Sequence, residues 1–365
     1  MVFVAGIIGS ELSPTKSLST LPVATIVVGT AMSVIPVIRL MSIFGRKKVF
    51  LSACVYSIML IGLCIFSISE EIFFLFCFAS FCLGASVATM MQFRFAAIES
   101  VTLEQRPSAT GVVLLGGLIS AFLGTEIATI GKHFLDTDFA GSFVLLAILF
   151  IIAFVFMIFF EPTTKFKEQI EKSKRPITEI IKQGSFVVAV SAATTGYVVM
   201  SFIMTATPVS MHVMDGHSLH HTKLVLQSHV IAMFLPSLFT AYLVKYIGLT
   251  RMMLLGVVLF FISVFIAFMS HALINYWWSL VLLGLGWNFL FIGGTNLLPQ
   301  AYNENEKFKA QSINDFLVFG FQALAALSAG WFVFNFSWEV VLLSVLPLLL
   351  VQFIILIWWF LKKPS

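Results

Sequence analysis

The stretch Ile43-Phe44-Gly45-Arg46-Lys47-Lys48 joins an apolar segment of about 20 residues to three consecutive basic residues. A second apolar segment ends in the similar stretch Tyr246-Ile247-Gly248-Leu249-Thr250-Arg251, and Gly248 follows Gly45 at a distance of 203 residues. Similarity at one fixed distance within a chain indicates an internal repeat. The sequence therefore predicts two halves, each built from the same arrangement of helices.

Apolar segments of about 20 residues recur along the whole chain, and each is long enough to cross ~30 Å of hydrocarbon. The chain has 365 residues, of which 59% are hydrophobic and only 10% charged, and this balance excludes a water-soluble domain. We predict an all-α membrane protein. The predicted second to twelfth segments cover 20–43, 49–69, 72–95, 108–131, 139–160, 185–211, 223–246, 250–270, 275–299, 310–334 and 338–361.

The basic residues are distributed unevenly among the loops. Of the 21 Lys and Arg residues, all except Lys16, Lys132 and Lys223 fall in, or at helix ends facing, alternate loops. Because basic loops stay on the cytoplasmic side, the central loop and the C-terminus are predicted to be cytoplasmic. The net charge of +4 reflects this topology and gives no indication of nucleic-acid binding.

The first predicted segment is unusually short. Met1 to Gly9 supplies nine apolar residues, too few to span a bilayer, and no basic region of a signal peptide precedes them. The repeat places the start of a complete first helix about 18 residues before Met1. We therefore expect a first helix that lacks most of its N-terminal half. The predicted domains are an N-terminal bundle over 1–160, a cytoplasmic linker over 161–184 and a C-terminal bundle over 185–365.

The stretch Ile38-Arg39-Leu40-Met41-Ser42-Ile43-Phe44-Gly45-Arg46-Lys47 resembles the loop between helices two and three of major facilitator superfamily transporters. Their pattern is Gly-x-Leu-x-Asp-Arg-x-Gly-Arg-Lys, of which the Gly-Arg-Lys end is kept here, while Ser42 replaces the Asp. In the second copy, Lys245 stands at the Asp position. The resemblance implies two pseudo-symmetric six-helix bundles.

A narrower resemblance covers nearly the whole chain. The chain is similar to a bacterial subfamily of permeases that includes some riboflavin importers, whereas Leu123-Gly124-Thr125-Glu126 departs from the Gly-Pro usual there. The resemblance implies an inner-membrane transporter. It rests on Gln92-Phe93-Arg94-Phe95-Ala96-Ala97, Phe139-Ala140-Gly141-Ser142, Thr205-Ala206-Thr207-Pro208, Gly284-Leu285-Gly286-Trp287-Asn288-Phe289, Lys309-Ala310-Gln311 and Asn314-Asp315-Phe316-Leu317-Val318-Phe319-Gly320.

Trp287 and Asn288 lie in the middle of the predicted tenth segment, inside a glycine-rich run. This pair could stack on and hydrogen-bond a planar substrate, or it could simply pack between helices. Tyr197 in the seventh segment and Gln322 in the eleventh are similar substrate candidates, since sites in this superfamily lie at the midplane between the halves.

Two ionisable residues are candidates for proton coupling, because such residues are costly at membrane depth. Glu126 lies toward the outer end of the fifth segment and could accept a proton, or it could be an interfacial carboxylate in contact with water. His229 lies in the outer third of the eighth segment and could titrate near neutral pH, or it could be a buried structural histidine.

The predicted cytoplasmic gate consists of Arg46, Glu99, Arg106 and Asp315, all at cytoplasmic helix ends. We expect Arg46 of the first half to pair with Asp315 of the second half when the cytoplasmic side is shut. The alternative is that Asp315 only complements the dipole of its helix. Partial exposure would limit the pair to roughly 1 kcal/mol.

Several features point away from other functions. The four cysteines show no metal spacing and are expected to pack as small apolar residues. The histidines of the outer loop Met211 to His221 fit no established ligand pattern, so neither a metal nor another cofactor is predicted. No Walker motif is present, which argues against ATP as the direct driving force.

The predicted function is secondary active transport of a small organic solute across the bacterial inner membrane, coupled to protons, with riboflavin or a similar planar molecule as a possible substrate. The expected partners are the solute and the lipid bilayer, without nucleic acid, and the protein is expected to be a monomer. A transport-inactive receptor and a membrane-embedded enzyme remain alternatives. An enzyme would need polar groups gathered at one depth, whereas here they are scattered.

Overall fold

The computed structural model describes residues 21–132, 137–161 and 175–362, together with residues 5, 8, 9, 11–15, 18, 134 and 135. Most of the short first segment, and residues 162–174 of the predicted linker, lie outside the described residues. Within the described part of the chain the secondary structure is helical throughout, without a β-strand.

The described residues after residue 20 form fourteen α-helices. They are α1 Leu21–Phe44, α2 Arg46–Ser69, α3 Phe73–Met90, α4 Phe93–Glu99, α5 Arg106–Gly131, α6 Ala140–Ile158, α7 Ile177–Ile181, α8 Gly184–Pro208, α9 Leu219–Phe234, α10 Thr240–Met269, α11 Leu273–Leu297, α12 Lys307–Asn335, α13 Trp338–Ser344 and α14 Leu346–Lys362. Short 3₁₀ or π turns cover Leu103–Gln105, Val209–Met214, Leu235–Leu238, Leu298–Ala301 and Glu304–Glu306.

Among the described residues, nine helical stretches are long and apolar enough to cross a membrane. Two further helices, α5 and α9, occupy the positions of the predicted fifth and eighth segments. The predicted eighth segment extends through the 3₁₀ turn at Leu235–Leu238 into α10, where Gly248 interrupts the helical backbone and the ninth begins. Helices are therefore present at every predicted position from the second to the twelfth.

The glycines that revealed the repeat adopt one conformation. Gly45 has φ 83° and ψ 155°, and Gly248 has φ 78° and ψ 162°. This left-handed region is strained for a residue with a Cβ atom, so glycine suits both positions. Each glycine makes the sharp turn from one long helix into the next, and the repeat is thus visible in the backbone.

A second pair of equivalent turns lies 201 residues apart. In the first, Thr102 and Gln105 form a capping box directly before α5, and in the second, Asn303 and Glu306 form one directly before α12. The side chain at the fourth position accepts from the backbone N–H of the first, at 3.4 Å from Gln105 and 2.9 Å from Glu306. These bonds satisfy backbone groups that a helix start leaves unpaired.

The described chain forms two compact units, and the first comprises residues 1–96, 119–171 and 311–316. Helix α3 packs on both α1 and α2, and α2 also packs on α6. A Cβ atom at Gly29 would lie 1.9 Å from the carbonyl oxygen of Phe81, so glycine permits the close approach of α1 and α3. All four cysteines lie in this unit as free thiols, and three of them are buried.

The second unit comprises residues 97–118, 172–310 and 317–365. Helix α11 is its centre and packs on α8, α9 and α10. A Cβ atom at Gly284 would lie 2.6 Å from the carbonyl oxygen of His229, and one at Gly294 would lie 2.5 Å from that of Ala189. The glycines of α11 therefore bring it against α9 on one side and α8 on another.

The compact units and the predicted domains differ in two segments. Residues 97–118 come from the first half of the sequence but belong to the second unit, and residues 311–316 come from the second half but belong to the first unit. Each unit therefore contains contacts between residues of both sequence halves. The domain boundaries at 160 and 185 stay a prediction.

Candidate functional site

Aromatic side chains from three helices form a cluster inside the second unit. The rings of Trp287 and Phe291 on α11 are stacked, with centroids 5.0 Å apart and an interplanar angle of 20°. Tyr197 on α8 meets them edge-on, at 5.3 Å from Trp287 and 5.0 Å from Phe291, and it contacts Phe319 on α12 at 5.4 Å. We call Tyr197, Trp287, Phe291 and Phe319 the aromatic cluster.

Trp287 is 1% exposed, so it faces the protein interior and not lipid. Within the described part of the chain, its indole nitrogen is buried without a hydrogen-bond partner, and so are the hydroxyl of Thr194 on α8 and the amide nitrogen of Gln352 on α14. A buried polar group left unpaired costs about 1–3 kcal/mol. Such groups can hydrogen-bond a ligand. These three lie on α11, α8 and α14, and α8 packs on both of the other helices.

The structure gives Asn288 a contact between helices. Its side-chain amide donates to the carbonyl oxygen of Met233 at 2.6 Å and to the hydroxyl of Ser237 at 2.8 Å, which links α11 to the end of α9. Its side-chain oxygen is buried without a hydrogen-bond partner. Gln322 is half-buried and lies one helical turn after Phe319 on α12.

The two candidates for proton coupling lie in different environments. His229 is fully buried in the second unit, and its Nδ1 lies 2.8 Å from the carbonyl oxygen of Leu280. The carbonyl can only accept, so Nδ1 carries the hydrogen, while Nε2 is buried without a partner. Glu126, in the first unit, is exposed. The His229 side chain therefore lies in the contact between α9 and α11, whereas the Glu126 side chain lies at the protein surface.

The carboxylate of Asp315 is the centre of a buried polar network in the first unit. The guanidinium of Arg94 forms an ion pair with it, and the side-chain amides of Gln92 and Asn314 donate to it, the latter at 2.8 Å. Arg46 donates to the side-chain oxygen of Gln311 at 2.8 Å and also acts on Asp315 through its charge.

This network adds Arg94 to the predicted gate at Arg46 and Asp315. Arg94 forms an ion pair with Asp315, and Arg46, whose charge also acts on Asp315, binds Gln311 one helical turn earlier on α12. The pairing of Arg46 with Asp315 stays a prediction, but its expected partial exposure is not found, because Arg46 and Asp315 are only 6% and 0% exposed. Gln92-Phe93-Arg94 and Asn314-Asp315 both lie at predicted cytoplasmic helix ends and carry opposite charges. This common position is the feature of the sequence that could have indicated their pairing.

A second ion pair between the sequence halves lies in the second unit. The ammonium group of Lys307 is 3.4 Å from the carboxylate of Glu99 and 3.1 Å from that of Glu304. Arg106 occupies the repeat position equivalent to Lys307, and its Nε is buried with no hydrogen-bond partner among the described residues. Of the predicted gate residues, Glu99 thus forms an ion pair with Lys307, as Asp315 does with Arg94.

Comparison with known proteins defines the class of this protein. A family model of the Major Facilitator Superfamily matches residues 1–226 and 211–365. The chain belongs to the major facilitator superfamily of membrane transporters.

Similar proteins agree with this assignment. The riboflavin transporter RfnT of Brucella anthropi is 33% identical over 351 residues, which are 95% of this chain and 88% of that protein. The uncharacterized MFS-type transporter YdeG of Bacillus subtilis is 30% identical over 87% of this chain and 77% of its own length. Neither relative favours the receptor or enzyme alternatives.

Solved structures share the fold. The proton:xylose symporter XylE superimposes with a TM-score of 0.76 at 13% identity, over 98% of this chain and 92% of XylE. The transporter FucP in its outward conformation gives a TM-score of 0.72 at 11% identity, over 100% of this chain and 97% of FucP. The predicted superfamily fold is confirmed.

Proposed function

We propose that this transporter carries riboflavin, or a planar solute like it, across the bacterial inner membrane by alternating access, coupled to protons. The observation that carries the proposal is the aromatic cluster in a chain that is 33% identical to a riboflavin transporter over 95% of its length. The multi-pass chain would act as a monomer with its C-terminus in the cytoplasm.

The chemistry of the aromatic cluster suits a planar heterocycle. Offset-stacked and edge-to-face aromatic pairs contribute about 0.5–1.5 kcal/mol each beyond the burial of their area. A flat ring that enters beside Tyr197 and Trp287 would exchange ring contacts within the protein for equivalent contacts to the solute. The indole N–H of Trp287 and the side chain of Gln322 would then bind polar atoms at its edge.

Two ion pairs supply the proposed cytoplasmic gate. Arg94–Asp315 and Glu99–Lys307 each join a residue of the first sequence half to one of the second. Alternating access requires contacts between the halves to form and break on opposite sides of the membrane. We assign Arg46, Glu99 and Asp315 to the gate with Arg94 and Lys307, and Arg106 to its edge.

The proton-coupling assignment rests on His229, with Glu126 as the second candidate. The bare Nε2 of His229 is a buried acceptor between α9 and α11, and a proton there would create a charge that must be solvated or paired. Protonation would therefore favour a conformation that opens this contact. His229→Gln should permit uptake of the solute but remove the response of uptake to a pH gradient. If only Glu126→Gln removes this response, proton coupling is assigned to Glu126 instead.

Uptake by purified protein in proteoliposomes tests the proposed substrate. Radiolabelled riboflavin should accumulate saturably when the interior is alkaline, and a protonophore should abolish the accumulation. Trp287→Ala should raise the half-saturating concentration about tenfold, because it removes ring contacts and buried area. Trp287→Phe, which keeps an aromatic ring, should recover part of this loss.

Trp278→Ala is the matched control, because Trp278 lies on the same helix but is 47% exposed. This variant should transport like the unaltered protein. If other planar solutes accumulate and riboflavin does not, the substrate is a different planar solute and riboflavin is excluded. Equal effects of Trp287→Ala and Trp278→Ala on affinity would remove the aromatic cluster from the binding site.

A further inference from the structure

The loop singled out for its histidines forms a polar cluster with two other connections of the second unit. His271 lies between α10 and α11, Asp215 lies between α8 and α9, and Glu339 is in the first turn of α13. The Nδ1 atom of His271 is 3.0 Å from a carboxylate oxygen of Asp215, and its Nε2 atom is 2.7 Å from one of Glu339. One imidazole ring thus bridges carboxylates from two other segments.

The geometry determines the charge of this ring. Neutral histidine has one N–H and can donate to only one carboxylate, whereas protonated histidine has two. Ionised carboxylates only accept, so both short contacts are hydrogen bonds at once only when His271 is protonated. At high pH one of the two nitrogens becomes an acceptor facing an acceptor, and one of the two contacts must open.

The groups around His271 hold Asp215 in place. Tyr276 on α11 donates to the other oxygen of Asp215 at 2.6 Å, and Ser210 lies 2.5 Å from the Tyr276 hydroxyl. On the backbone side, Nε2 of His217 is 2.8 Å from the carbonyl oxygen of His271. These hydrogen bonds fix Asp215 and the His271 backbone, while Glu339 is bound by the side chain of Ser337 within its own segment and by the His271 ring across segments.

The electrostatic balance favours the charged ring. The hydrogen bond to Asp215 is the largest influence and raises the pKa of His271, and the charges of Asp215 and Glu339 act in the same direction, whereas partial burial opposes them. The connections that meet here carry no Lys or Arg between α8 and α9, between α10 and α11, or between α12 and α13. By the charge rule they face the outside of the cell.

We propose that His271 is a proton-operated clamp that ties the three outer connections of the second unit together when protonated and releases Glu339 when neutral. This device is distinct from the buried aromatic cluster and from His229, and it does not depend on the identity of the solute. Its pH range follows from the raised pKa. The clamp is complete below the ordinary histidine pKa of about 6.5 and is lost as the pH rises through the higher folded value.

Hydrogen exchange of the full-length protein in lipid nanodiscs tests the clamp. Protection factors, corrected for intrinsic exchange, are measured for Val209–Met214 and Trp338–Ser344 from about pH 5 to about pH 9. Protection in the unaltered protein should fall about tenfold over this range, since a charge-assisted hydrogen bond is lost. His271→Gln should give low protection at every pH.

Two variants separate the clamp from a general structural effect. His271→Arg keeps its charge at all these pH values and has enough N–H donors for both carboxylates, so protection should stay high and become independent of pH. His220→Gln, at an exposed histidine of the same loop, should keep the pH dependence of the unaltered protein. If His271→Gln does not insert into membranes, Glu339→Gln replaces it and should weaken only the Trp338–Ser344 response. Protection that is independent of pH in the unaltered protein, or unchanged pH dependence in His271→Arg, would overturn the proposal.

Discussion

The network around Asp315 and the aromatic cluster are both buried, but they differ in how their central polar groups, the Asp315 carboxylate and the Trp287 indole, are paired. Asp315 accepts hydrogen bonds from Arg94, Gln92 and Asn314 and leaves little capacity for a further ligand. In the aromatic cluster, the indole N–H of Trp287 has no hydrogen-bond partner. The hydrogen bonds to Asp315 are made within the protein, although the side-chain oxygen of Gln92 has no partner among the described residues, whereas the indole N–H of Trp287 can still donate to a solute.

The two regions also differ in the energy that a substitution should cost. Removing one member of a buried ion pair leaves an uncompensated charge in a medium that solvates it poorly. Removing one aromatic contact loses only packing and ring electrostatics. Substitutions in the Asp315 network should therefore change conformation and stability, and those in the aromatic cluster should change affinity.

The largest effect is expected for Asp315→Asn, which removes the carboxylate that pairs with the buried charge of Arg94. The loss should be about 3–5 kcal/mol, measured as a decrease in the thermal unfolding midpoint and as increased hydrogen exchange in Phe93–Glu99. Replacing both partners with apolar residues, as Arg94→Met with Asp315→Leu, should recover much of the stability. A double variant that is as unstable as the single one would show that the charge is not the reason.

A smaller effect is expected for Glu99→Gln, since Lys307 keeps its contact to Glu304. The side chains of Lys307 and Glu99 are 5% and 13% exposed, so the remaining imbalance should cost about 1–2 kcal/mol in the same unfolding assay. Glu104→Gln, at an exposed residue in the 3₁₀ turn that follows Glu99, is the control and should be neutral. A cost equal to that of Asp315→Asn would contradict the ranking by burial.

The smallest effect is expected for Phe291→Leu, which keeps apolar volume but removes the ring stacked on Trp287. Affinity for riboflavin should fall roughly two- to tenfold, as loss of one aromatic pair predicts, with little change in the unfolding midpoint. Phe321→Leu, at a phenylalanine that is 49% exposed, should leave affinity unchanged. A large fall in stability without a change in affinity would place Phe291 in the packing core only.

The sequence was sufficient for most helix positions, because membrane-spanning segments are defined by length and apolarity. The predicted segments 185–211 and 275–299 correspond to Gly184–Pro208 and Leu273–Leu297. Interruptions were missed: the predicted segment 338–361 is split after Ser344. Pro347 explains the split, since it lacks the N–H that would continue the helical hydrogen bonds.

Side-chain directions were harder to predict, and the physical reason is the solvent. A helix in lipid is apolar on the face that meets other helices and on the face that meets hydrocarbon, so periodicity does not identify the buried face. Trp287 and Asn288 were selected by depth, but the sequence did not indicate that Asn288 donates to Met233 and Ser237 on the α9 side.

The sequence by itself determined the class of protein, the positions of the helices and the internal repeat, because these depend on local composition, on glycines such as Gly45 and Gly248, and on two capping boxes. Only the tertiary structure decided which partners meet: Arg94 with Asp315 over 221 residues and His271 with Glu339 over 68. Such pairs depend on the rotation and packing of whole helices, which side chains far apart in the sequence determine together.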